Sequence, residues 1–337
     1  MKNKGQLWIG IGMSLCLLMI ILDTKTALIG ASEGIELSIR VVIPSLFPFL
    51  VLSNLIYRSF SGIHIPFLKP INRLCGIPNG AESIYLLGFV GGYPVGARSI
   101  AQAYKDGGLQ IADARRMLGF CSNAGPAFIF GMASTLFSTK APLWALWCIH
   151  IVSSLLVAII LPKHNIGSCN TSNKPDISLP DAVSNGVKTM GLICGWVTVF
   201  RILIAFLRHW LLWLLPPGAQ ATLIGILELS NGCICLNNLT SPGARFVLCA
   251  AFLGFGGLCV AMQTVSVTKN LGTGMYFPGK VLQCIFSILL SLIIQHLLFN
   301  DGDIYTVQMP YLFALLALLF IGIALLYRSK KVVAIPV

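Results

Sequence analysis

Among the 337 residues, few side chains could do chemistry inside an apolar medium. Glu228 is the sharpest of them, being the sole acidic residue in the apolar run from 210 to 244. A carboxylate at membrane depth is costly and is usually kept for function. It can hold a coupling proton or cation, hydrogen-bond a substrate, pair with an arginine or cap a broken helix. Ser230 and Asn231 stand at the same interruption. Ser122 and Asn123 precede Gly125-Pro126 and can either cap an exposed helix end or touch a ligand. Gln263 follows a second-half interruption at Phe255-Gly256. Tyr93 lies in a Gly-Gly-Tyr-Pro-Val-Gly turn whose glycines permit close backbone approach. Arg115 and Arg245 complete the candidate substrate-binding set, since guanidinium pairs well with carboxylates. Those two and Arg98 fit equally well at a membrane surface. Arg201 falls inside the run 187–207 and would be deep in the bilayer unless it snorkels.

Other chemistries lack their residues. The five histidines do not cluster in sequence, and no His-Glu-x-x-His is present. Most of the eleven cysteines sit in apolar runs, where they act as small hydrophobes. Cys233 and Cys235 are too close together for the usual zinc spacing. No phosphate-binding Gly-x-x-x-x-Gly-Lys-Ser/Thr occurs. The expectation is a protein that is not an enzyme, with no metal and no cofactor. The net charge of +12 raises nucleic acid as a partner. The cations are scattered between apolar runs rather than massed on one face, which excludes that reading.

The elements that must position these groups follow from composition. The chain is 56% hydrophobic and 10% charged, against about 25% charged in soluble proteins. A lipid bilayer is the solvent for such a surface. Apolar stretches occur at 7–22, 41–57, 83–97, 117–138, 141–162, 187–207, 210–227, 246–268, 281–299 and 304–327. They are apolar throughout rather than alternating, so helices are predicted and not barrel strands. The fold class is all-α: a polytopic helical membrane protein with about 8–10 membrane segments, some of them re-entrant. Lys2 and Lys4 before the first span, and Arg328, Lys330 and Lys331 after the last, predict cytoplasmic termini and an even number of crossings. The first segment reads as a retained helix rather than a cleaved signal.

Several runs are interrupted. Pro44 and Pro48 are expected to break or kink a helix. Gly-Phe-Val-Gly-Gly-Tyr-Pro-Val-Gly at 88–96 cannot form a regular helix. Such backbone survives at membrane depth only where protein buries it or it lines a cavity. A polar stretch at 163–181 divides the chain. Residues 114–132 align without a gap on 244–262, pairing Ala114-Arg115 with Ala244-Arg245 and Met132 with Met262. The reading is an N-terminal helix at 1–29, a first half at 30–162, a linker at 163–181, a second half at 182–300, and a terminal helix with basic tail at 301–337. Matched interruptions in two halves point to a transport site.

The run Ile-Pro-Ser-Leu-Phe-Pro-Phe-Leu-Val-Leu-Ser-Asn-Leu-Ile at 43–56, the turn at 88–98, Phe-Cys-Ser-Asn-Ala-Gly-Pro at 120–126, Leu-Glu-Leu-Ser-Asn-Gly at 227–232 and Phe-Gly-Gly-Leu-Cys-Val-Ala-Met-Gln at 255–263 carry a resemblance. In that order they resemble the sporulation integral membrane proteins of the YlbJ/SpoVV type, which group with gate, or nucleoside-recognition, membrane proteins. The likeness runs from about residue 30 to 300. It implies a multi-pass protein of the cell membrane, and in a sporulating Gram-positive bacterium of the outer forespore membrane. It implies movement of a small anion such as dipicolinate, and its gate regions are similar to parts of nucleoside transporters. The expected partners are the lipid bilayer and either a dipicolinate-like anion or a nucleoside, and a homo-oligomer is open to it. The alternatives are a nucleoside-type transporter and a membrane scaffold for sporulation that moves nothing. Scaffolding gives no reason for Glu228, Asn123 and Asn231 at helix breaks.

Overall fold

The computed structural model describes residues 2–60, 62–163, 167–169, 178–269, 271–300 and 303–304. The predicted terminal helix and basic tail at 301–337, and part of the linker at 163–181, fall outside those residues apart from short pieces. The helices run α1 Lys2–Leu22, α2 Thr24–Leu37, α3 Ile43–Phe60, α4 Lys69–Cys75, α5 Glu82–Val90, α6 Val95–Lys105, α7 Ile111–Met117 and α8 Pro126–Met132. They continue as α9 Ala141–Ile160, α10 Leu179–Trp210, α11 Pro217–Leu227, α12 Leu229–Cys235, α13 Pro242–Phe255, α14 Gly257–Val267 and α15 Tyr276–Leu298. The one strand ladder among the described residues pairs Phe299–Asn300 with Asp303–Ile304. The protein is an all-α, multi-pass membrane protein.

Among the described residues, five helical stretches are long and apolar enough to cross a bilayer: Thr24–Phe60, Ala141–Ile160, Leu179–Trp210, Pro242–Val267 and Tyr276–Leu298. Three shorter apolar helices, Gly10–Leu22, Pro126–Leu136 and Pro217–Leu227, accompany them. The interrupted runs at 83–97 and 117–138 are short helices meeting at irregular backbone. Glycine and proline content decides this, because apolarity alone does not keep a helix continuous.

The expected break at Pro44 and Pro48 is absent. A π-helical turn at Ser38–Val42 joins α2 to α3, so the helix continues through both prolines. Proline 44 stands at the end of that turn, where the wider hydrogen-bond ring tolerates the missing N–H. Ser45 Oγ donates to Val41 O at 2.6 Å across the junction. α10 packs antiparallel along this long helix through small residues. A Cβ on Gly30 would lie 2.8 Å from Ile202 Cα, and one on Gly34 would lie 2.7 Å from Thr198 Cα. Only glycine lets the two backbones approach so closely. α10 starts with a capping box, Ser178 with Asp181, three residues earlier than the predicted end of the linker.

The interrupted segments fold back on themselves. α5 and α6 form one hairpin, with Gly88 and Gly96 where its arms cross. α11 and α12 form another, crossing at Gly225 and Gly232. The first enters from the end of the bundle where α10 begins: Gly62 near the end of α3 bonds Gly80, and Val51 packs on Gly186. The second enters from the opposite end, where Ile204, Leu212 and Ile224 cluster at the close of α10. α13 and α14 cross between the ends with a break at Gly256, whose φ is +83°. α15 packs against both α9 and α13, which come from different halves of the chain. One buried cluster joins Leu146 and Ile149 of the first half to Phe246 and Leu253 of the second.

Candidate functional site

Four interruptions meet in the middle of the molecule around one cavity. Gly91, Gly92 and Tyr93 come from the first hairpin turn, and Ala124 and Gly125 from the backbone before α8. Glu228, Leu229 and Ser230 come from the second hairpin turn, and Val260 and Gln263 from α14 past Gly256. The π-turn residues Val41 and Val42, with Ile193 and Val197 of α10, close the side. The space is about 60 Å³ for water centres, enough for a few waters. A ligand of ten or more heavy atoms needs the site to open.

Glu228 caps α12. Its backbone is extended, which ends α11, and its carboxylate accepts from Ser230 N at 3.0 Å and Asn231 N at 2.7 Å. Asn231 Nδ2 also donates to it at 2.6 Å. The carboxylate is 4% exposed as a residue yet stands on the cavity wall. Three N–H donors and a helix N-terminus stabilise its charge there. Of the sequence candidates, Tyr93, Glu228, Ser230 and Gln263 reach the cavity. Asn231 is behind Glu228, with its Oδ1 unpartnered among protein atoms.

Ser122 and Asn123 are fully buried but do not line the cavity. Asn123 Nδ2 donates to Phe120 O at 2.8 Å, and its Oδ1 accepts from Gln283 Nε2 at 2.9 Å. The arginine pair does not line the cavity. Arg115 is at the end where α10 begins and donates to Leu271 O at 3.0 Å. Arg245 is at the opposite end and donates to Leu239 O at 2.6 Å. Each guanidinium holds a loop carbonyl, and they cannot share one substrate because their helices start from opposite ends. Arg201 finds a partner in Glu33 at 3.3 Å, which answers its depth. Arg98, with Lys105 and Lys269, lines a separate cleft of about 290 Å³ between α6, α10 and α14. That cleft continues the cavity's seam toward the end where α10 begins.

Sequence reasoning missed a polar core beside the cavity. Lys280 is 1% exposed, and its Nζ donates to Gln283 Oε1 at 2.7 Å and Tyr93 Oη at 3.1 Å. Tyr93 Oη in turn donates to Leu253 O at 2.9 Å. His150 Nε2 accepts from Ala124 N at 2.9 Å, and Ser287 Oγ donates to Ser153 Oγ at 3.1 Å. The missed signal was spacing. Lys280, Gln283, Ser287 and Ser291 recur at helical intervals on one face of α15, and all are buried. In a lipid-facing helix such a stripe points inward, so hydropathy read without phase hides it. Among the described residues no group of three metal-ligating side chains gathers.

The sequence carries one further finding. It is 23% identical over 307 aligned positions, covering 76% of this chain and 74% of the relative, to Sporulation integral membrane protein YlbJ of Bacillus subtilis (strain 168). This chain is a homologue of that integral membrane protein. No family model matches the chain, and no solved structure does. The integral membrane character of that relative agrees with the membrane placement read from the helices.

Proposed function

We propose that this chain is a permease of the cell membrane for a small polar, anionic metabolite, working in endospore formation. The observation that carries the reading is the meeting of four interruptions at one central cavity, with hairpins entering from opposite ends. Opposed entry of this kind supports an inverted repeat, and in such folds one half rocks against the other and opens the site to each side in turn. The gapless alignment of 114–132 on 244–262 supports the same pairing of halves. Helix termini and a capped carboxylate provide polarity at a depth where lipid provides none. The sporulation setting rests on the relative's description. A dipicolinate-like dianion carried at the outer forespore membrane fits that setting, with a nucleoside as the other substrate class.

The test is uptake of dipicolinate and of a nucleoside into vesicles holding the purified full chain. Glu228→Gln keeps acceptor oxygen for the α12 cap and removes the charge. It is expected to cut uptake by at least about tenfold, the scale of one lost charged interaction, at unchanged protein level. Undiminished uptake removes Glu228 from the mechanism. A second reading, a scaffold that moves nothing, draws on one observation: both Glu228 oxygens are occupied within the chain. Vesicles that transport neither probe, together with a stable partner complex, would favour it.

A further inference from the structure

We infer that Lys280 is the group that recognises the carboxylate of the transported anion, and that Tyr93 is the shutter over it. The inference rests on the permease reading and supplies the charge that reading lacks. Lys280 is on a membrane-spanning helix, fully inside the protein, and no carboxylate lies within ion-pair distance of it among the described residues. Its two hydrogen bonds go to neutral groups, Tyr93 Oη and Gln283 Oε1. A glutamine could serve both of those partners, and it would not carry the cost of an ammonium without a counter-ion. An amine is therefore superfluous to the closed core, and in its protonated form it has the right sign for an anion that visits it. In a low-dielectric interior a single unpaired charge acts well beyond contact range.

Tyr93 stands between. It lines the cavity, whereas Lys280 does not. The Lys280 ammonium lies 4.9 Å from the Tyr93 ring centroid and 3.1 Å from its hydroxyl. Gly92, at φ +73°, precedes the tyrosine, and Gly256, at φ +83°, faces its ring. A Cβ on Gly256 would sit 3.3 Å from that ring, so the opposing wall carries no side chain to pin it. Swinging the phenol aside enlarges a cavity too small for a dicarboxylate and bares the ammonium in the same movement. Glu228, on the opposite wall, has its charge taken up by three N–H donors. A carboxylate entering the space is drawn to the Lys280 side.

The experiment follows the thermal unfolding of the purified full chain in detergent. The probes are pyridine-2,6-dicarboxylate and its neutral diamide, with vesicle flux measured in parallel. The unaltered protein is expected to be stabilised by the dicarboxylate and not by the diamide. Lys280→Gln should unfold at least as high without ligand and need at least about tenfold more dicarboxylate for the same shift. Lys280→Arg should retain part of the response, and Tyr93→Phe should bind at least as tightly, since the ammonium loses a competing partner. Equal stabilisation of the unaltered and Lys280→Gln proteins overturns the assignment. If Lys280→Gln does not fold, Tyr93→Phe decides, and weakened binding there overturns the shutter. Stabilisation without flux keeps the Lys280 assignment and rejects the permease. Flux that Lys280→Gln leaves intact does the reverse, and neither binding nor flux rejects both.

Discussion

At the scale of single residues, adjacent arginines in one sequence motif have different fates. Arg115 makes one bond to a loop carbonyl. Arg116 is buried and donates to four: Pro162 O at 2.9 Å, Gly76 O at 2.8 Å, Cys75 O at 2.7 Å and Ala158 O at 2.5 Å. Its guanidinium also stands 5.1 Å from the Phe120 ring centroid. One side chain thus ties α4, α7 and the end of α9 together. Arg116→Met should cost at least about 3 kcal/mol, because several buried carbonyls lose their donors at once. Arg115→Ala should cost about 1 kcal/mol. Unfolding midpoints in detergent measure both, and equal losses would contradict this division. The sequence could nominate an arginine at this motif but not choose between neighbours. That choice depends on which side of a seven-residue helix faces the packed loops.

At the scale of elements, the glycines of the two hairpins carry the argument. A Cβ on Gly88 or Gly96 would overlap the Cys121 carbonyl, and one on Gly232 would overlap the Gly225 backbone. Gly88→Ala must push the Cys121 backbone off the first hairpin and Gly232→Ala must push the arms of the second apart, and each should destabilise the protein by about 1–3 kcal/mol. Gly191 and Gly195 sit on an open face of α10, with nothing near a Cβ. Alanine there should be neutral or stabilising by up to about 1 kcal/mol. Comparing unfolding midpoints of the two pairs tests whether the hairpin crossings are as tight as described; similar values for all four would count against it. Glycine and proline placement made the interruptions legible in sequence. Which of the interrupted runs turn back instead of crossing, 83–97 among them, was not legible, because an apolar run looks the same whether its partner is lipid or another arm of the same hairpin.

At the scale of the whole molecule, the two ends differ in charge. Lys69, Arg73, Lys105, Lys163 and Lys269 gather toward the end where α10 begins, and Lys140, Arg208 and Arg245 toward the other. Cytoplasmic loops carry the excess of Lys and Arg, which predicts that the first end, with its Arg98–Lys105–Lys269 cleft, faces the cytoplasm. In a cysteine-free background, Lys105→Cys should react with a membrane-impermeant maleimide only from the cytoplasmic side, and Lys140→Cys only from the other. Labelling of both from one side would contradict the opposed entry of the hairpins.

Composition and run length alone determined that this chain lives in lipid as a bundle of helices, since no other solvent accepts such a surface. Glycine and proline spacing determined where those helices fail, and the lone carboxylate marked one of the failures. Tertiary structure decided what meets at them. It brought Tyr93, Glu228 and Gln263 to one cavity, sent Arg115 and Arg245 to opposite ends, and exposed Lys280 as a buried charge that hydropathy had left at the edge of a span. The reason is geometric: a sequence fixes the period of a helix, but only packing fixes which face of it turns away from the lipid.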